Sequence, residues 1–187
     1  MSDATTLEGL GVRVVFRRLA DRFSHAVEAT LETEKILLLE SVEGTSEDDW
    51  PASPPLQELH FENRPDGSRL ALLVGRAGRS HWSLSIEAAA DSKRLVFDAA
   101  CRVREAPQRL GSEYRLPQAL AASALGSGIG RRAVVELSGG WRLTSENLDG
   151  AETRLEAAPS GIAIRPSLAF AGAWPQTARW QYIVELA

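Results

Sequence analysis

The sequence predicts a mainly β protein, either an antiparallel β-sandwich or a flattened barrel. Segments in which apolar and polar residues alternate recur along the chain, and turn sequences that contain glycine or proline separate them at short intervals. These segments do not alternate with helical ones, which argues against the parallel sheet of an α/β protein. We expect the 187 residues to form one domain of roughly nine to eleven short strands.

The first predicted hairpin lies near the N-terminus. One alternating run begins at Val12 and a second extends from Phe23 to Leu31, with "LADR" as the turn between them. Alternation of this kind places one set of side chains in a core and the other in solvent. The next strand is predicted at 35–42, where the uninterrupted apolar stretch "ILLL" is typical of a strand that is covered on both faces.

The remaining strands follow at similar spacing. "PDG" at 65–67 and "SGG" at 138–140 are turn sequences between them. The alternation places Trp82, Trp141 and Trp180 on apolar faces, so we expect these rings in the core. The predicted strands are, in chain order, 57–64, 68–75, 81–88, 94–104, 131–143, 148–157, 160–166 and 178–186.

One short helix is predicted at 117–126. Pro117 suits the first helical position, alanines and leucines follow, and Gly126 is a suitable stop. A division of the chain at "GSGIG", residues 126–130, is the alternative to a single domain. The C-terminal strands would then form a layer of their own.

The charge balance gives the protein no general attraction to nucleic acid or to an anionic membrane. Lysine and arginine total 21 against 25 acidic residues, which leaves a formal net charge of −4 at pH 7. The basic residues are scattered, and no apolar run approaches the length of a membrane span. We therefore expect neither nucleic acid nor a membrane as a partner.

The single cysteine, Cys101, and the N-terminal residues predict a cytoplasmic protein. One cysteine permits no disulfide within the chain, which fits a reducing compartment. The alternation places Cys101 inside, where a thiol acts as a small apolar group. The N-terminal residues include Asp3 and Glu8 and lack the apolar region of a secretion signal.

The stretch "LLVGRAGRSHW" at 72–82 has two possible functional interpretations, a phosphate-binding loop and a catalytic pair of serine and histidine. Glycines after a strand can cradle a phosphate, but the helix whose N-terminus would bind that phosphate does not follow here. Ser80 and His81 are neighbours in a predicted strand, so their side chains point to opposite faces and cannot act as a nucleophile and its base. We interpret the stretch as a hairpin.

The turn of this hairpin is predicted at Gly75–Gly78. Arg76, Arg79 and His81 would then form a small cationic tip on its polar side. Such a tip could meet an acidic group, and the loop at 47–49 of this same chain is one candidate.

No metal site and no cofactor are predicted. The three histidines, His25, His60 and His81, have no short ligand spacing. His25 falls on the apolar face of its strand, where a hydrogen-bonded core histidine is the usual explanation. The acidic run at 47–49 lacks the alternating oxygen ligands of a calcium loop.

Two loops combine tryptophan with proline. The segment 43–56, "EGTSEDDWPASPPL", is too rich in proline for regular structure, and the segment 167–178 contains a second Trp-Pro pair at Trp174. A loop tryptophan such as Trp50 can stack on a sugar, a base or a peptide. Alternatively, it fixes its loop to the body of the protein.

Four stretches together resemble an uncharacterised family of bacterial proteins with no assigned function. They cover the first two thirds of the chain, and the resemblance implies no catalytic residue and no cofactor. The stretches are "LLLESVEGTSEDDWPASPPLQ" at 37–57, "LLVGRAGRSHWSLSIE" at 72–87, "LVFDAACRV" at 95–103 and "LGSEYRL" at 110–116.

The preferred hypothesis is a non-enzymatic binding or interaction module for a small molecule, a sugar or a protein. Its surface would join the two polar loops at one end of the fold. The alternative is a hydrolase that uses loop carboxylates with His81 as the acid/base group. Unprotected edge strands could also pair two copies in a homodimer. The candidate site residues are Asp48, Asp49, Trp50, Arg76, Arg79 and His81.

Overall fold

Two antiparallel sheets make up the computed structural model, which describes residues 4–117, 133–148, 152–159, 161–167, 170 and 172–187. Sheet A contains, in spatial order, β1 (Ala4–Glu8), β2 (Val12–Leu19), β3 (Arg22–Leu31), β4 (Glu34–Ser41), β9 (Ser112–Arg115), β13 (Gly161–Pro166) and β12 (Thr153–Ala158). Sheet B contains β10 (Val134–Glu136), β11 (Trp141–Glu146), β14 (Gln176–Leu186), β8 (Arg94–Val103), β7 (Ser80–Ala88), β6 (Arg69–Ala77) and β5 (Glu58–Asn63).

The predicted antiparallel sandwich is confirmed. Each sheet is open, with two edge strands, so the arrangement is a sandwich and not a closed barrel. A 3-10 turn at Ser138–Gly140 joins β10 to β11, as the "SGG" sequence predicts. Among the described residues no helix is long and apolar enough to cross a membrane. The helix predicted at 117–126 lies outside the described residues, apart from Pro117 at its start.

Strands from both sides of the segment 126–130 are present in each sheet. β13 pairs with β9 in sheet A, and β14 pairs with β8 in sheet B. The C-terminal strands therefore do not form a layer of their own within the described residues. The single domain itself stays a prediction.

The core lies between the two sheets and contains the predicted tryptophans. Trp82 and Trp180 of sheet B are buried with their ring centroids 6.2 Å apart in an edge-to-face arrangement, and Trp141 is buried in the same core. Burying an aromatic ring of this size stabilises the folded chain by about 2 to 3 kcal/mol. Cys101 is also fully buried, as predicted, and burial raises the pKa of its thiol to about 12.

Candidate functional site

The proline-rich half of the predicted loop at 43–56 is buried. Every residue from Pro51 to Leu56 has little exposure, although none of them lies in a strand. The hydroxyl of Ser53 donates to the Glu113 carbonyl oxygen over 2.9 Å and accepts from the Glu113 amide over 3.0 Å. These bonds fix the segment to sheet A at the point where the chain crosses to sheet B.

Trp50 lies at the start of this buried segment. Its ring is partly buried and packs against the hydrophobic core, and its carbonyl oxygen accepts a hydrogen bond from Arg109 over 3.3 Å. This placement corresponds to the loop-fixing interpretation of Trp50. The other loop tryptophan, Trp174, is 38% exposed, with its ring centroid 5.2 Å from that of Phe170.

The two acidic candidates occupy different positions in the loop. The carboxylate of Asp48 accepts the Thr45 amide over 2.6 Å and the Thr45 hydroxyl over 3.1 Å, and these hydrogen bonds lower the pKa of Asp48. Asp49 lies against Gly78, where a Cβ on the glycine would be 2.6 Å from the Asp49 Oδ1 atom. The two predicted loops therefore meet, at Asp49 and Gly78.

The turn of the hairpin lies later than the sequence predicts. Ala77 pairs with Ser80, so the turn consists of Gly78 and Arg79, and Gly78 has a φ of +51°. The prediction of a turn at Gly75–Gly78 is wrong because Gly75 has a different role. A Cβ on Gly75 would lie 1.6 Å from the Pro55 carbonyl oxygen, so glycine is needed there for the buried loop to approach β6.

Three side chains form a row across the outer face of sheet B. Arg76 of β6 is directly opposite His81 of β7, and His81 is directly opposite Arg102 of β8. All three are exposed, whereas Ser80 beside His81 is buried. We name Arg76, His81 and Arg102 the cationic row. Arg79 stands outside it, at the tip of the turn.

The cationic row lines one end of a concave surface. A cavity of about 480 Å³ lies over it, with Glu58 at one side. A second cavity of about 340 Å³ shares Val74, Ser83 and Ala100 with the first. The second cavity continues over the same face to Leu72, Ser85, Asp98 and Arg179. We name the two cavities together the outer groove.

Gln57 fixes the backbone at the cationic end of the outer groove. Its side-chain Oε1 atom accepts the Arg76 amide over 3.0 Å, and its Nε2 atom donates to the Arg76 carbonyl oxygen over 3.2 Å. Its own amide donates to the Val74 carbonyl oxygen over 2.8 Å. Arg76 therefore projects from a backbone that is held on both sides, by β7 and by Gln57.

The arginines of the cationic row differ from other arginines of sheet B in their partners. The Arg179 guanidinium pairs with Asp98, its Nε atom lying 2.9 Å from Oδ1, and Arg142 pairs with Glu185 over 2.8 Å. Within the described part of the chain, neither Arg76 nor Arg102 has an ion pair with a carboxylate. Arg76 and Arg102 therefore place two positive charges on one face, on either side of His81, without a carboxylate partner in the described residues.

Sequence reasoning missed Arg102 and Glu58 as members of this surface. The alternation along β8 already places Arg102 on the outer face, but it does not reveal which strands are neighbours. The strand order β5-β6-β7-β8 is what brings Arg102 beside His81 and Glu58 beside the row. Asp48, Asp49 and Trp50 do not line the outer groove.

A second polar cluster lies between the sheets. The Nε2 atom of His25 is 2.7 Å from the Tyr114 hydroxyl, which is 2.5 Å from the Tyr182 hydroxyl. His25 is buried, as predicted, and burial lowers its pKa to about 4. Burial also raises the pKa of both tyrosines. Because none of these groups is charged near neutral pH, the cluster is a neutral hydrogen-bonded link between sheets A and B.

Glu43 lies beside this link. Its Oε1 atom accepts from the Ser41 hydroxyl over 2.6 Å, and that hydroxyl accepts the His25 amide over 2.9 Å. Burial raises the pKa of the Glu43 carboxyl to about 7, although the Ser41 hydrogen bond and the charge of Arg22 oppose the rise. The Glu43 Oε2 atom is buried without a hydrogen-bond partner in the described structure, which is a further cost to its charged form.

Metal binding has no geometric support in the described ranges, which contain no group of three or more histidine, cysteine, aspartate or glutamate side chains able to hold an ion. No protein-family model matches the chain, and no curated protein is similar to it. No activity of a related protein therefore bears on these residues.

Proposed function

We propose that the protein is a non-enzymatic binding module that holds a small anionic ligand in the outer groove, against the cationic row. The observation that carries this proposal is the pair of arginines on either side of His81, neither with a carboxylate partner among the described residues, at one end of a concave face. Arginine binds carboxylate and phosphate oxygens through two parallel N–H donors. A bound anion would supply the counter-charge that the two arginines lack.

The hydrolase alternative has less support. No carboxylate in the described residues accepts a hydrogen bond from His81, and the loop carboxylates Asp48 and Asp49 do not line its cavity. Glu58 is the acidic residue that shares the cavity with His81. The binding interpretation explains the two arginines on either side of His81, which have no role in the hydrolase interpretation.

The single cysteine, Cys101, fits a reducing compartment, because it cannot form a disulfide within the chain. Its thiol is fully buried with a raised pKa, as expected of a structural cysteine. We extend the proposal to a cytoplasmic binding module. Expression with a fluorescent tag in a bacterial host would test it, and an envelope location would contradict it.

Titration with inorganic phosphate and with acetate, followed by calorimetry or by protein NMR, tests the binding proposal. We expect saturable binding by the wild-type protein and a loss of at least about tenfold in affinity in the Arg76→Gln/Arg102→Gln variant, since each charged hydrogen bond contributes about 1.5 to 3 kcal/mol. Arg17→Gln is the matched control, because Arg17 is an exposed arginine on β2 of the other sheet. Equal affinities in the double variant and in the control would contradict the proposal.

A further inference from the structure

The outer groove is apolar where it leaves the cationic row. Leu72 and Val74 of β6 are 36% and 47% exposed and lie on the outer face of sheet B, which in a sandwich faces solvent. Ser83 of β7 lies opposite Val74, and Ala100 of β8 lies opposite Ser83, so small side chains border Val74 on that side. On the other side, Glu58 and His60 of β5 lie opposite Val74 and Leu72. The groove therefore offers an apolar floor, the trough, between a polar side on β5 and small side chains on β7 and β8.

The trough has a measurable length. Arg76, Val74 and Leu72 are alternate residues on one strand, so they follow one another along the same face. Four residues of a strand extend over about 13 Å, at about 3.3 Å per residue. A ligand with its charge at Arg76 could therefore lay a chain of that length over Val74 and Leu72.

The far end of the trough limits the charge of the ligand. Asp98 lines it there, paired with Arg179 through two hydrogen bonds. This pair is internally neutralised, so it offers no net positive charge to a second negative group on the ligand. Glu58 at the other cavity would repel additional negative charge on the head group. The groove therefore favours one anionic end and a neutral, apolar remainder.

We infer that the ligand of the outer groove is an amphiphilic carboxylate, with its head group on Arg76 and Arg102 and an aliphatic chain over Val74 and Leu72. This inference rests on the proposed anion-binding function and specifies its ligand class. Charge complementarity selects the head group, and the exposed aliphatic floor selects the chain. Both features lie on one continuous face, since the two cavities share Val74, Ser83 and Ala100.

A comparison of octanoate with acetate separates the contribution of the aliphatic chain to affinity from that of the carboxylate head group. We expect octanoate to bind at least about tenfold more tightly than acetate, because each methylene fully removed from water favours binding by about fourfold, and an open trough covers the chain in part. Octylammonium, which has the same chain and the opposite charge, is expected not to bind.

Substitutions in the trough locate the chain. Leu72→Thr/Val74→Thr places a β-branched residue, which favours strands, at both positions and removes apolar surface. We expect it to weaken octanoate binding several-fold and to leave acetate binding unchanged. The control is Leu19→Thr, a comparable change at a leucine that is 52% exposed on sheet A.

The outcomes separate this inference from the proposed function. Acetate binding that depends on Arg76 and Arg102, with octanoate no tighter, would overturn the inference and leave the anion site standing. Octanoate binding that is insensitive to Leu72→Thr/Val74→Thr would also overturn it. So would a wild-type dimer that dissociates in that variant, since a second copy would then cover the trough. If neither acetate binding nor octanoate binding depends on Arg76 and Arg102, both the proposed anion site and this inference are contradicted.

Discussion

The inner and outer faces of sheet B use polar groups in opposite ways. On the inner face, Tyr182 lies in a neutral chain of hydrogen bonds with Tyr114 and His25, and its ring stacks on Phe97 with centroids 4.7 Å apart. On the outer face, Arg76 and Arg102 remain charged and exposed on either side of His81. The contrast shows that burial favours the neutral form of the linked groups, whereas an exposed face can keep charge available for a ligand.

The buried polar groups between the sheets should respond most strongly to pH, through Glu43, which follows β4 of sheet A. Its pKa is about 7 in the folded chain against an ordinary 4.5, so the unfolded chain loses this proton first and stability falls as pH rises from 4.5 to 7. His25 acts in the opposite sense: it stays neutral in the fold, so stability falls as pH drops from 6.5 toward 4. The two effects oppose each other in the overlapping range.

Glu43→Gln separates these opposing effects. We expect the difference in unfolding free energy between variant and wild type to shift in favour of the variant by about 3 kcal/mol between pH 4.5 and pH 7, at about 1.4 kcal/mol per pKa unit. Urea denaturation across this range measures it. Parallel stability curves for the two proteins would contradict a buried, protonated Glu43.

The second prediction concerns the Tyr114 hydroxyl, which lies at the centre of the buried hydrogen-bonded link between His25 and Tyr182. Tyr114→Phe removes the hydrogen-bond partner of both His25 and Tyr182, so we expect a loss of about 2 to 3 kcal/mol in unfolding free energy. Tyr182→Phe leaves the bond between His25 and Tyr114 in place and should cost about 1 kcal/mol. Chemical denaturation ranks the two variants, and the reverse ranking would contradict the central position of Tyr114.

Trp50→Ala tests whether the loop that contains Trp50 stabilises the fold or contributes to ligand binding in the outer groove. Its ring packs against the core without full burial, so Trp50→Ala should lower the unfolding free energy by about 1 to 2 kcal/mol, less than a fully buried tryptophan. Acetate binding should stay within about twofold of wild type, because Trp50 does not line the outer groove. Unchanged stability with lost binding would restore Trp50 as a stacking platform.

The smallest change in stability is expected at the cationic row. Arg76→Gln/Arg102→Gln removes two exposed charges that face each other across His81, so the unfolding free energy should stay within about 0.5 kcal/mol or rise slightly. Thermal or urea denaturation without added anion measures this. A loss of more than about 2 kcal/mol in unfolding free energy would mean that the cationic row stabilises the fold. It would contradict a role of these charges in ligand binding alone.

The alternation along single strands made the fold and much of the core predictable. It placed Trp82, Trp180 and His25 inside because an inward position requires only the period-two pattern of one strand. The cationic row depends on which strands are neighbours, and no local pattern in β8 specifies that Arg102 lies beside β7.

Close backbone approaches were equally hidden from the sequence. The sequence predicts Gly75 as a turn residue because glycine is common in turns. In the structure, glycine is required at this position because Pro55, twenty residues earlier, lies too close for any side chain. The buried tyrosine link also escaped prediction, since Tyr114 and Tyr182 belong to different sheets. Contacts between sheets have no counterpart in a local pattern.

The most direct test of the anion site is a map of backbone amide chemical shifts during titration with acetate. We expect the largest changes at Arg76, His81 and Arg102, on three adjacent strands of one face, and we expect these changes to disappear in Arg76→Gln/Arg102→Gln. Changes centred on the loop at 45–50, or a map unaltered by the double substitution, would contradict it.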